Sequence, residues 1–133
     1  MLKEKKIPRK VDPSRKKAIL IADFVSKKKA SDISILDIRD LSGLCDYFVL
    51  CSGDSSKQVE AIYRETIKTF KKDEIQIHHF QKDEDRSWIL LDFFDVILHI
   101  FLQEKRAYYN LEYLWSQAKR VRLPKKITST NPA

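Results

Sequence analysis

The chain has 133 residues, 43% of them hydrophobic, with only 2 Gly and 4 Pro, which suits one domain with a modest core and excludes disordered and fibrous classes. Its charge of +7 is uneven: residues 1–17 carry eight Lys/Arg against two acids, 119–133 carry five against none, and 18–118 carry 13 against 17. Basic ends suit phosphate backbones, or only keep the chain soluble, while a mildly acidic body suits a basic protein partner.

The N-terminus is Lys-rich but includes Glu4 and Asp12. It lacks the apolar core of a signal peptide and is too acidic and Ser-poor for a transit peptide. No apolar run approaches the ~20 residues of a membrane span, so no membrane partner is expected. Asp12 followed by Pro13 marks a helix start. Ala18, Ile21, Ala22 and Val25 then recur at helical spacing, and Lys27 to Lys29 sit near the negative end of that helix. A β-rich run covers 33–39, and Ser42-Gly43 marks a turn. A second strand spans 46–51. Its run Tyr47-Phe48-Val49-Leu50 is too continuously apolar for an exposed edge, so both faces are expected to be covered and Tyr47 and Phe48 to lie in the core.

Cys45 and Cys51 bound that strand, which holds them roughly 20 Å apart, too far for a disulfide. They form no CxxC or zinc spacing, so reduced and buried thiols are expected.

Ser55 and Gln58 form an S-x-x-Q capping box. Val59, Ile62, Tyr63, Thr66, Ile67 and Phe70 follow as one wide apolar face, which turns a helix toward a sheet. Residues 75–80 alternate as a weaker third strand, and 82–86 form a charged turn. Strands at 87–92 and 95–102 pair through a two-residue loop, Phe93-Phe94. With Asp92 facing Asp95, Leu90 pairs with Ile97 and Trp88 with His99. Trp88, Leu90, Ile97, His99 and Phe101 then share one face. That face reads either as core under a helix or as a protein-binding surface with an aromatic anchor. An aromatic-rich helix follows, up to Trp115. The order is αββαβββα: an α/β (α+β) domain with a mixed sheet of about five strands and helices packed on it. It spans 13–121, between a basic flexible arm (1–12) and a basic flexible tail (122–133).

Several constellations carry a catalytic reading beside a structural one. Ser52-Gly53-Asp54-Ser55-Ser56 precedes a helix, as anion-binding loops do, but holds one Gly and no GxxxxGK[ST]; a helix cap is the simpler reading. Asp92 and Asp95 invite a two-metal reading, although residues three apart do not share a strand face. His78 and His79 point oppositely in a strand and make poor co-ligands. His99 with Asp92 and Ser87 suggests a triad without a nucleophile elbow.

Two motifs at the expected separation carry a family resemblance: DYFVLCSGDSSKQVEAI over 46–62, and W..LLD.FDVILHIF....R.YYNLE.LW over 88–115. Through them the sequence, from about 13 to 121, resembles the ribosomal silencing factor family (RsfS, also called Iojap or YbeB). The family pattern usually reads Asp-Tyr-Gly-Asp at the hairpin; here it is Asp92-Phe93-Phe94-Asp95. Losing that Gly means the loop must avoid positive φ or tolerate strain.

The resemblance implies a nucleotidyltransferase-like fold without catalysis, and no cofactor. It implies a bacterial, cytoplasmic repressor of translation. The implied partner is the large ribosomal subunit, bound through its ribosomal protein number fourteen, so that subunit joining is sterically blocked. It also allows a homodimer off the ribosome and ribosomal RNA contact by the basic tails. The implied partner-binding residues are Trp88, Asp92, Asp95, His99, Phe101, Glu104, Arg106, Tyr108, Tyr109 and Trp115. The other reading is a nucleotidyltransferase-like enzyme or nucleotide-binding protein using the Gly53 loop and Asp92/Asp95.

Overall fold

A computed structural model describes residues 12–73 and 75–128. Helix α1 (Pro13–Lys27) starts where the Asp12 carboxylate accepts the N–H groups of Ser14 and Arg15. Strands β1 (Ser31–Asp37) and β2 (Tyr47–Gly53) pair antiparallel, with a bulge between Ser31 and Ser34. Helix α2 (Ser56–Lys72) begins at Ser55, whose hydroxyl accepts the Gln58 N–H. The Gln58 side chain reaches back to the N–H of Asp54, one residue before the position a reciprocal box would use.

After α2 come β3 (His79–Lys82), β4 (Trp88–Asp92) and β5 (Val96–Leu102). Then follow α3 (Gln103–Tyr109), α4 (Leu111–Leu114), β6 (Lys119–Arg120) and α5 (Lys125–Thr128). Among the described residues the sheet has six strands, in the order β3-β4-β5-β2-β1-β6. It is mixed because β2 and β5 run parallel while the other neighbours are antiparallel. No helix among the described residues is long and apolar enough to cross a membrane.

Period-two alternation divides the core between the two sheet faces. Ile35, Tyr47, Val49, Cys51, Ile89, Leu91, Leu98 and Ile100 pack with Ala18, Ile21 and Val25 of α1 and Val59, Ile62 and Phe70 of α2. On the other side Leu36, Phe48, Leu50 and Phe101 pack under Leu111 of α4, with Tyr109 and Trp115 against them. Central strand β2 is buried along its whole length, as its unbroken apolar run required. Both cysteines are free and buried, and burial pushes the Cys51 thiol up to about 12.

Four expectations change. The third strand lies at His79–Lys82, because Ile75 and Ile77 pack against the core as an extended connection instead of pairing. The hairpin loop is Phe94-Asp95: Phe93 donates to the Val96 carbonyl, and the partners are Trp88 with Phe101, Leu90 with His99 and Asp92 with Ile97. The shift is two residues, so the face shared by Trp88, Leu90, Ile97, His99 and Phe101 survives. Phe94 tolerates the strain, at φ 78°. The aromatic helix is two helices, broken where Asn110 adopts the left-handed conformation that Asn accepts better than most residues.

The expected flexible tail from residue 122 is the fourth. Leu123 packs against the core and Ile127 is fully buried within it, so the fold continues through Thr128. The arm at 1–11 and the end at 129–133 lie outside the described residues. At the other edge of the expected arm, Asp12 is the cap of α1 and an acceptor for the Tyr47 hydroxyl.

Candidate functional site

The half-open sheet face around Trp88 is organised from its first turn. The Asp83 carboxylate accepts the N–H groups of Ser87 and Trp88 and the Ser87 hydroxyl, which fixes where β4 begins. Burial works to raise the Asp83 pKa, but these hydrogen bonds outweigh it and hold the carboxyl below its ordinary value. Trp88 then stands half-buried on the face. Its ring stacks on Phe101 at 5.3 Å and packs against Tyr109 at 4.6 Å. Its indole N–H donates to Nδ1 of His99 at 3.1 Å. Trp88, Leu90 and Tyr109, with Gln81, Lys82 and Asp83, line a cleft of about 260 Å³.

His99 is 3% exposed. Burial alone pushes its pKa down to about 3, so the ring is neutral. Since Nδ1 accepts, the proton sits on Nε2, and that buried nitrogen has no hydrogen-bond partner among the described residues. The ring packs edge-on to Phe48 at 4.6 Å, and Phe48 in turn meets Trp115. Trp88, His99, Phe48 and Trp115 therefore form one aromatic chain across the sheet.

The ten residues named from the sequence fall into distinct positions. Phe101 and His99 are buried and brace the face from beneath. Trp88, Tyr109 and Trp115 are partly exposed upon it. Glu104 and Tyr108 are exposed on α3, and Lys105 lies over the Tyr108 ring. Asp92 is partly exposed on the sheet, and its carboxylate accepts the Phe94 N–H.

Asp95 and Arg106 are held elsewhere. Asp95 accepts from Lys17 Nζ at 2.6 Å and from the Ser14 hydroxyl at 2.7 Å, which ties the hairpin turn to α1. Burial raises its pKa, yet these two bonds outweigh burial and leave it lowered. Arg106 pairs with Glu112 and donates to Ser52 Oγ and the Asp32 carbonyl, joining α3, α4, β2 and β1. Both charges have internal partners, so neither is presented freely with Trp88.

Two further residues share this surface, and other exposed apolar side chains flank members of its cluster in sequence only. Leu90 and Ile97 share the Trp88 face and are only partly buried. Leu44, beside the cluster member Cys45, is 89% exposed, and Tyr113 and Leu114 are exposed just before Trp115. Period-two alternation already placed Leu90 and Ile97; nothing local in the sequence marks Leu44.

The constellations with a catalytic reading have structural employment. Asp92 holds a turn amide and Asp95 binds α1. His99 receives Trp88, and Ser87 donates to Asp83, so Ser87, His99 and Asp92 do not form a relay. His78 packs on the Phe94 ring. A side chain at Gly53 would meet Val59 at 3.0 Å, so this Gly serves close packing of α2 against β2. Among the described residues, no group of three or more His, Cys, Asp or Glu is placed to hold a metal ion.

The family described as "Ribosomal silencing factor during starvation" matches residues 11–133. The ribosomal silencing factor RsfS of Halalkalibacterium halodurans is 39% identical over 104 residues, which are 78% of this chain and 89% of that one. A crystal structure from Bacillus halodurans superposes with a TM-score of 0.69 at 36% identity, covering 84% of this chain and all of the other. A more distant relative from Mus musculus, named mitochondrial assembly of ribosomal large subunit protein 1, is 27% identical over 100 residues, 73% of this chain and 44% of that one. The chain belongs to the ribosomal silencing factor family.

Proposed function

We propose that this chain represses translation by docking its Trp88 face on the large ribosomal subunit, against ribosomal protein number fourteen, where it blocks joining of the small subunit. The observation that carries the proposal is a half-open aromatic face inside an acidic body. Trp88, Leu90, Tyr109 and Trp115 offer apolar contact, and Asp92 and Glu104 offer negative charge to a basic protein. The name of the mouse relative supports the choice of the large subunit.

Steric exclusion needs no turnover. The bound domain only has to persist where the small subunit would sit. His99 and Phe101 act by holding the Trp88 ring in one orientation before binding, which reduces the ordering cost at the interface. The basic N-terminal residues add a long-range attraction to ribosomal RNA. Sedimentation of the purified protein with isolated subunits tests the proposal. Equal recovery with both subunits, or unimpaired joining at saturating protein, contradicts it.

A further inference from the structure

A second groove lies apart from the Trp88 face. It encloses about 770 Å³ between the second half of α2, residues 75–78, Phe80 of β3 and the β4–β5 turn. Ile67, Ile75, Ile77, Phe80 and Phe94 are its apolar walls, and Lys71 is among its lining residues. Strand alternation sets it apart from the Trp88 face. Gln81 pairs with Leu90, whereas Phe80 pairs with Leu91, which belongs to the core under α1 and α2. Phe80 accordingly meets Tyr63 of α2 at 5.7 Å.

The groove is left apolar and open at some cost. Phe80 and Phe94 are 48% and 49% exposed. Phe94 holds φ 78°, a conformation that favours Gly and strains a residue with a large side chain. That backbone places the ring over His78, with 4.6 Å between ring centres. Packing of the core does not account for a strained and half-exposed ring.

The charge beside the groove is opposite to that of the body. Residues 67–80, which supply all of the lining except Phe94, carry three lysines against two acids. Lys68, Lys71 and Lys72 are exposed on α2 and enter no ion pair among the described residues. Asp73 and Glu74 follow in the sequence and offset two of these three charges. An apolar trough with a lysine margin complements an apolar surface with carboxylates along its edge.

We infer that this groove docks an acidic amphipathic segment of a partner protein. Its apolar side chains sit among Ile67, Ile77, Phe80 and Phe94, and its carboxylates face Lys68, Lys71 and Lys72. The groove and the Trp88 face then select partners of opposite charge, so one chain can hold both at once. The inference does not depend on the ribosomal docking proposed above.

The test uses the full-length chain and two fluorescent amphipathic peptides, each about sixteen residues long with one leucine face. One has Glu at its polar positions and the other has Lys. The Glu peptide is expected to bind about tenfold more tightly or better, and to shift the backbone amide signals of Ile67, Lys71, Ile77 and Phe80. Lys71→Glu should abolish that preference. Phe94→Gly removes the ring while relieving the strained φ, so it should raise the melting temperature and weaken peptide binding together. Loss of binding then cannot be ascribed to unfolding. Equal affinity for the two peptides overturns the inference. So do amide shifts confined to the Trp88 face, unchanged binding by Phe94→Gly, or a second copy of this chain filling the groove, seen as concentration-dependent sedimentation that disappears in Phe94→Gly.

Discussion

Trp88 donates its indole N–H to Nδ1 of His99 at 3.1 Å, joining a half-exposed aromatic on β4 to a buried ring on β5. The bond requires an unprotonated Nδ1, and burial supplies it by pushing the His99 pKa from 6.5 down to about 3. Between those values the unfolded chain binds a proton that the folded chain does not. Stability from this group is therefore complete above pH 6.5 and declines as pH falls toward 3. From pH 7 to pH 5 the folded state should lose about 2 kcal/mol from His99. Urea unfolding at the two pH values checks this, with His99→Leu as the control. That variant should be less stable at pH 7 by about 1–2 kcal/mol, having lost the acceptor for Trp88, and should show a flatter pH dependence. Parallel pH profiles for the two proteins would contradict a neutral buried His99.

Trp88 and Phe101 stack on each other but have different exposure. Trp88→Ala should leave a folded domain and weaken binding to the large subunit by about 2 kcal/mol or more. Phe101→Ala removes a fully buried ring and should destabilise the fold by about 3–5 kcal/mol. Circular dichroism melts beside binding isotherms separate the two outcomes. Unfolding by Trp88→Ala would make that residue core and remove it from the docking face.

The acidic residues divide in the same way. Asp95 joins the hairpin turn to Lys17 and Ser14, whereas Glu104 is exposed on α3. Asp95→Ala should cost about 1 kcal/mol of stability, a figure kept low because the pair is partly solvated. Binding at a temperature where the variant is folded should be little changed. Glu104→Lys should alter stability by less than about 0.5 kcal/mol and weaken ribosome binding, most visibly at low salt. The opposite pattern would move Asp95 into the contact surface.

How much could be read from the sequence depends on how local each signal is. The caps at Asp12 and Ser55, the apolar stripe of α2 and the buried run of β2 depend on residues within a few positions, and all reappear in the fold. The hairpin face was legible because alternation survives a two-residue register error. The register itself was not, because it depends on Phe94 accepting φ 78°, which no local preference favours. Ile127 was missed because one apolar residue in a polar, Pro-containing end has no periodicity; only the core reveals its place. Arg106 and Asp95 fit an acidic or basic surface by type. Their partners lie 54 to 81 residues away in sequence for Ser52, Asp32, Ser14 and Lys17, a separation that residue type cannot encode.

The two ends should therefore behave differently on truncation. Deleting 1–11 removes five Lys/Arg and one Glu while keeping the Asp12 cap, so the domain should remain folded. If the arm binds ribosomal RNA, the slope of log affinity against log salt should fall by roughly 0.7–0.9 for each phosphate that the arm neutralised. An unchanged slope would confine the arm to solubility. Deleting 122–133 removes Ile127 from the core and should destabilise by about 2–4 kcal/mol, with Ile127→Ala showing a similar loss.

Repression by this family member is proposed to rest on occupation of the large subunit. Isolated large and small subunits, sedimented separately with the purified chain and then mixed, test it most directly. The chain should be recovered with the large subunit and hardly with the small one, and it should lower the yield of joined ribosomes, a loss that Trp88→Ala restores. Equal recovery with both subunits, or full joining with the large subunit saturated, would contradict occupation of the large subunit as the mechanism.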